Sequence, residues 1–115
     1  MRRIALVAGL VLAVLLVGMI YTYGGERVIK LRMTFRMGGA VYRGYELEGD
    51  TIVFKFERVG DVFTQAIETR TFEEKVKSNP SRVVVEVSTN GRVRTYEARL
   101  VEERGNERLY EAFEG

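Results

Sequence analysis

Arg27-Val28-Ile29-Lys30-Leu31-Arg32-Met33-Thr34-Phe35-Arg36-Met37 alternates without a slip. Ile29, Leu31, Met33, Phe35 and Met37 share one parity, and Lys30, Arg32, Thr34 and Arg36 share the other. Successive side chains of an extended chain point to opposite faces, so this pattern gives one oily face and one charged face. It reads as a half-buried β-strand. Gly38-Gly39 interrupts it, and Val41, Tyr45 and Leu47 resume the pattern beyond, as expected of a long first strand bent at a glycine kink or bulge.

Downstream, the same two-residue period returns between turn signals. Glu48-Gly49-Asp50 reads as a turn, residues 51–58 as a second strand with Ile52, Phe54 and Phe56 on one face, and Val59-Gly60-Asp61 as the turn into a third strand over residues 62–69. Residues 71–78 break the period. Thr71 and Glu74 have capping-box spacing, Phe72 and Val76 lie four apart, and Asn79-Pro80 stops the segment, which predicts a short helix. Val83, Val85 and Val87 mark a fourth strand. Asn90-Gly91 signals a hairpin, and residues 92–102 form a fifth strand with Tyr96, Ala98 and Leu100 inward. After Arg104-Gly105-Asn106 comes a short tail in which Leu109, Tyr110 and Phe113 are placed to cover an edge.

Strand, strand, strand, short helix, strand, strand is the element order of an OB-fold, and the expected fold class is mostly β. The expectation is an N-terminal transmembrane helix followed by a five-stranded OB-like β-barrel, with a small β-sandwich as the alternative. Closure of a barrel would hide strand edges that otherwise invite association.

Ahead of these strands, residues 4–25 carry no charge, and residues 4–20 are almost wholly Ile, Ala, Leu, Val and Gly. As a helix this stretch spans roughly 33 Å, which matches a hydrocarbon layer of about 30 Å. Tyr21 and Tyr23 sit where interfacial rings are expected, and Gly24-Gly25 ends the segment. Residues 1–25 therefore read as a membrane anchor and residues 26–115 as one domain with a short C-terminal tail. A cleaved secretory signal is the rival, but the apolar run is long and no A-x-A site follows it. Arg27, Lys30, Arg32 and Arg36 outnumber Arg2 and Arg3, and a strict count of flanking cations would leave the domain in the cytoplasm. The three residues before the apolar run instead suit a signal-anchor. The expected localisation is a single-pass membrane protein with its C-terminal domain extracytoplasmic, in contact with the lipid bilayer and with other membrane proteins.

The 115 residues include no cysteine and no histidine, which excludes disulfides, thiolate nucleophiles, Ser-His-Asp catalysis and imidazole ligation within the chain. Lys and Arg number 18 against 16 Asp and Glu, and Arg2 and Arg3 account for the excess. A neutral domain lacks the field that supplies most non-specific nucleic-acid affinity, and Phe54 and Phe56 share the core face of Ile52, so nucleic acid is not an expected partner. Ser78, Ser81 and Ser88 have no activating base, and Asp50 and Asp61 sit in turns that favour aspartate. No catalysis is expected. Lys30, Arg32 and Arg36 form a cationic row that either meets anionic headgroups or pairs with the glutamates of the tail.

Phe35-Arg36-Met37-Gly38-Gly39-Ala40-Val41, just after a single anchor, resembles the R-hydrophobic-G-G-x-V stretch of the CcmE family, the membrane-anchored haem chaperones of c-type cytochrome maturation. The resemblance implies an OB barrel, an extracytoplasmic domain and a tail that takes haem. In that family a histidine or cysteine four residues before a tail tyrosine bonds covalently to haem. Tyr110 matches the tyrosine, which places Asn106 at the attachment position. Asparagine cannot form that bond. What the resemblance implies here is an apolar surface near Tyr110 and Phe113 that can receive a flat ligand or a partner protein, with Asn106 and Tyr110 at the place of the family's haem site and no covalent attachment of haem through His or Cys.

Overall fold

The computed structural model describes residues 26–115, and the anchor expected over residues 1–25 lies outside the described residues. Eight strands make up the domain: β1 (Arg27–Phe35), β2 (Val41–Glu48), β3 (Thr51–Arg58), β4 (Glu68–Val76), β5 (Arg82–Thr89), β6 (Arg92–Glu97), β7 (Arg99–Arg104) and β8 (Glu107–Phe113). They form two four-stranded sheets, ordered β4-β1-β8-β7 and β2-β3-β5-β6. The expected five-stranded barrel is corrected to two open sheets around a shared core.

The alternation that defines β1 decides where that core sits. Ile29, Leu31, Met33 and Phe35 are fully buried, as are Ile52 and Phe54 of β3 and Val85 of β5, with Phe56, Val83 and Val87 nearly so. The two oily faces meet across the gap between sheets: the rings of Phe35 (β1) and Phe56 (β3) lie 5.1 Å apart edge to face, and Phe56 and Phe72 (β4) 4.8 Å. Burying one such side chain is worth about 1.5 to 3 kcal/mol, so this strip supplies the main drive for the sheets to pair.

The short helix expected over residues 71–78 is instead β4, which runs antiparallel to β1 with Leu31 opposite Phe72. A spacing of four fits both a helix and a strand, so Phe72 and Val76 did not discriminate. Glu74 on the inward parity masked the alternation; it is accommodated there because the Tyr42 hydroxyl donates to its carboxylate at 2.9 Å. Residues 62–67, most of the expected third strand, form a loop together with the expected turn at 59–61. The long fifth strand is divided at Ala98, where the chain leaves one sheet as β6 and enters the other as β7.

The tail is no edge cover either. As β8 it lies between β1 and β7, parallel to β1 and antiparallel to β7. The first strand's glycine break is sharper than a bend, since β1 and β2 belong to different sheets. Asn90 and Gly91 form the expected hairpin between β5 and β6, with φ of 51° and 84°. Those left-handed angles suit a two-residue turn of the primed type.

Candidate functional site

Strand directions give the domain two poles. The start of β1, the turn after β4 and the β7–β8 turn gather at one, next to Glu26. At the other, roughly 30 Å along β1, lie the ends of β1, β3, β5 and β8. This far pole holds the one buried charged side chain among the described residues, Arg58.

Arg58 is the last residue of β3 and shares parity with Ile52, Phe54 and Phe56, so its side chain is carried inward with theirs. Its guanidinium is fully buried. It donates to both carboxylate oxygens of Glu114, Nη1 to Oε2 at 2.6 Å and Nη2 to Oε1 at 2.5 Å, and Nη2 also donates to the carbonyl of Met37 at 2.8 Å. The fork geometry matches a carboxylate, which is why arginine and not lysine suits this position. The ring of Phe35 lies 5.6 Å below the guanidinium. Burial by itself would raise the Glu114 carboxyl. The Arg58 hydrogen bonds, the Arg36 backbone N–H at 2.9 Å and the charges of both arginines outweigh it and hold Glu114 below the ordinary glutamate range.

Loops lock around this pair. The Asn90 backbone N–H donates to the Arg58 carbonyl at 2.9 Å, and its side chain both accepts from and donates to the backbone of Gly60. Gly38 N–H donates to the Thr64 carbonyl at 2.9 Å, tying the glycine pair to the loop of residues 59–67. Val59, Val62 and Ile67 stand exposed on that loop, and Phe113 at the end of β8 is more than half exposed.

Next to the pair opens a cleft of about 410 Å³. Val87 and Thr89 of β5 form its floor, and Arg92, Arg94 and Tyr96 of β6 one wall. Arg36, Met37 and Glu114 close the other side. Register explains the arginines: Arg92 faces Thr89, Arg94 faces Val87 and Tyr96 faces Val85, so all three lie on the core side of β6. Arg36, Arg92 and Arg94 have no ion pair among the described residues. Since Arg58 already holds Glu114, the cleft presents three guanidiniums without an ion pair among the described residues, over a floor of Val87 and Thr89. Such a site can hold carboxylate, phosphate or sulfate groups by paired hydrogen bonds.

The residues singled out from sequence are placed apart from this cleft. Asn106 sits in the β7–β8 turn, where its carbonyl accepts from Val28 N–H at 2.9 Å. Tyr110 is 5 % exposed, with its ring committed to the core. Of the cationic row, Lys30 pairs with Glu107 at 3.4 Å and Arg32 with Glu111, so two members join the tail, and only Arg36 reaches the cleft. Asp50 ties the turn before β3 to the start of β5: it accepts from Ser81 Oγ at 2.7 Å, which holds its carboxyl below the usual range. Among the described residues no three carboxylates converge as metal ligands.

Arg58, Arg92 and Arg94 were missed from sequence, although each shares the parity of neighbouring inward side chains. No protein-family model matches the chain, and neither a curated protein nor a solved structure does.

Proposed function

We propose that this chain is a membrane-tethered, non-catalytic recognition module whose far-pole cleft receives an anionic ligand. The observation that carries the reading is the convergence of Arg36, Arg92 and Arg94, without ion pairs among the described residues, around one cleft whose carboxylate, Glu114, is already held by Arg58.

The other unpaired cations support the tether. Among the described residues they are Arg27, Lys75 and Lys77, and Arg27 pairs with Val76 in the β1–β4 ladder, so all three gather at the pole of Glu26. Lys75 and Lys77 at that pole suit contact with lipid headgroups. The cleft lies at the pole opposite Glu26, the first described residue. An extracytoplasmic domain docked against other membrane proteins is part of the same proposal.

The non-catalytic part rests on chemistry. Glu114 is held ionised in a two-point ion pair, and no nucleophile with a neighbouring base borders the cleft.

Haem handling is the second reading. It is favoured by one observation: Arg36 and Met37 of the stretch resembling the haem chaperones line the cleft, and haem carries two carboxylates that arginines can hold. The polar lining makes a general anion site the stronger form of the proposal.

The test is calorimetric titration of the full chain in neutral detergent micelles with pyrophosphate, repeated with Arg92→Gln/Arg94→Gln. Saturable, salt-sensitive binding that the double variant loses supports the reading. Absence of binding, or equal binding by the variant, overturns it. A parallel titration with haem, followed at the Soret band, decides the second reading by the same variant.

A further inference from the structure

We propose that the ligand is an extended acidic peptide segment that adds as a strand to the free edge of β6; this rests on the anion-binding reading of the cleft and names its occupant. β6 is an outer strand of its sheet, with β5 on one side and, among the described residues, no strand hydrogen-bonded on the other. A free edge offers unpaired N–H and C=O groups, a template for another strand.

Register identifies which groups are offered. Thr89 and Arg92 flank the two-residue turn and so form a hydrogen-bonded pair, and Val87–Arg94 and Val85–Tyr96 follow at the same phase. Ala98 N–H donating to the Val83 carbonyl at 2.9 Å continues that phase. The N–H and C=O of Val93 and Thr95 therefore point to the open edge.

The remaining edges are less suited. β2 slips register between Tyr42 and Gly44, and β7 between Leu100 and Glu102, and such irregularities interrupt pairing. β4 shows Thr69, Thr71, Glu73 and Lys75 outward, with no run of one charge. Among the described edge strands, β6 alone combines an unbroken ladder with two arginines that have no described ion pair.

A strand docked on β6 would lie about 4.8 Å away. Every second side chain would then project on the same side as Arg92 and Arg94, into the cleft. Acidic residues at alternate positions meet those two guanidiniums, with Arg36 across the cleft as a third. Charge complementarity thus selects the occupant, while the backbone of Val93 and Thr95 supplies its register. The competing explanation of the same geometry is that inward arginines guard β6 against any pairing.

The experiment uses the full chain in neutral detergent micelles and a fluorescently labelled Thr-Glu repeat peptide, with a Thr-Lys repeat peptide and pyrophosphate as controls. Binding is expected for the Thr-Glu peptide and not for the Thr-Lys peptide. Thr95→Pro removes an edge-facing donor without removing a ladder bond, which edge strands tolerate. It should weaken peptide binding by roughly tenfold and leave pyrophosphate binding intact. Arg92→Gln/Arg94→Gln should weaken the peptide on the order of a hundredfold and lose pyrophosphate as well.

Amide hydrogen exchange on the unaltered chain gives a second readout, with Val93 and Thr95 becoming protected when peptide is added. Equal peptide binding by folded Thr95→Pro, or no new protection at those amides, overturns strand addition. Pyrophosphate binding without peptide binding overturns the inference and leaves the anion site standing. Binding of neither overturns both, and self-association of the arginine double variant in that case identifies an edge guard.

Discussion

Glu114 meets Arg58 through two hydrogen bonds of 2.5 and 2.6 Å, joining the residue beyond β8 to the last residue of β3. The contact bridges the two sheets at the far pole and forms the rigid backing of the arginine cleft.

Removing one partner strands a buried charge. Glu114→Gln should destabilise the fold by about 3 to 5 kcal/mol, whereas Arg58→Met combined with Glu114→Leu should be far milder, since replacing both charges removes the desolvation penalty too. Urea unfolding followed by circular dichroism checks both. A single variant no weaker than the double one would contradict the buried-pair account.

Acid should act through the same residue. The folded value of Glu114 is depressed, so its stabilisation is complete above the carboxylate range of the unfolded chain and is lost as pH falls through the lower folded value. Asp50 shifts in the same direction. Stability is therefore expected to drop on the acid side, with a shallower drop in Glu114→Gln. Urea midpoints measured across the acid range would show it.

Tyr42 caps the inward Glu74 of β4 while its ring packs on Phe54, Phe56 and Phe72. Burial, followed by the Glu74 hydrogen bond, raises its phenol above the ordinary tyrosine range. Tyr42→Phe keeps the ring but orphans Glu74, and a loss of about 1 to 3 kcal/mol is expected. Thermal unfolding of the pair of proteins measures it.

Gly39 has φ of 91°, and a Cβ there would stand 3.2 Å from the Phe63 ring. Gly39→Ala should cost about 1 to 3 kcal/mol through backbone strain. It should also loosen the loop of residues 59–67, raising proteolysis there. Unchanged stability and cleavage would show that the glycine is not needed for the approach of Phe63.

Sequence legibility followed the physics of each element. Parity in β1, β3 and β5 revealed which side chains form the core, and Asn90-Gly91 revealed its hairpin, because both signals are local. Pairing is not local: nothing in residues 107–113 announces that β8 lies parallel to β1, and the division at Ala98 carries no breaker residue. β4 was hidden by a spacing common to helix and strand and by one inward glutamate. The cleft was half legible, since Arg92 and Arg94 share the parity of Tyr96, which the alternation already turned inward. What could not be read was that no strand covers them.

The most direct measurement is a pyrophosphate titration of the full chain labelled with ¹⁵N-arginine, followed by NMR. The cleft account expects saturable shifts at Arg36, Arg92 and Arg94, with Arg32 and Arg82 unmoved in their ion pairs. Shifts spread over all exposed arginines without saturation would contradict it.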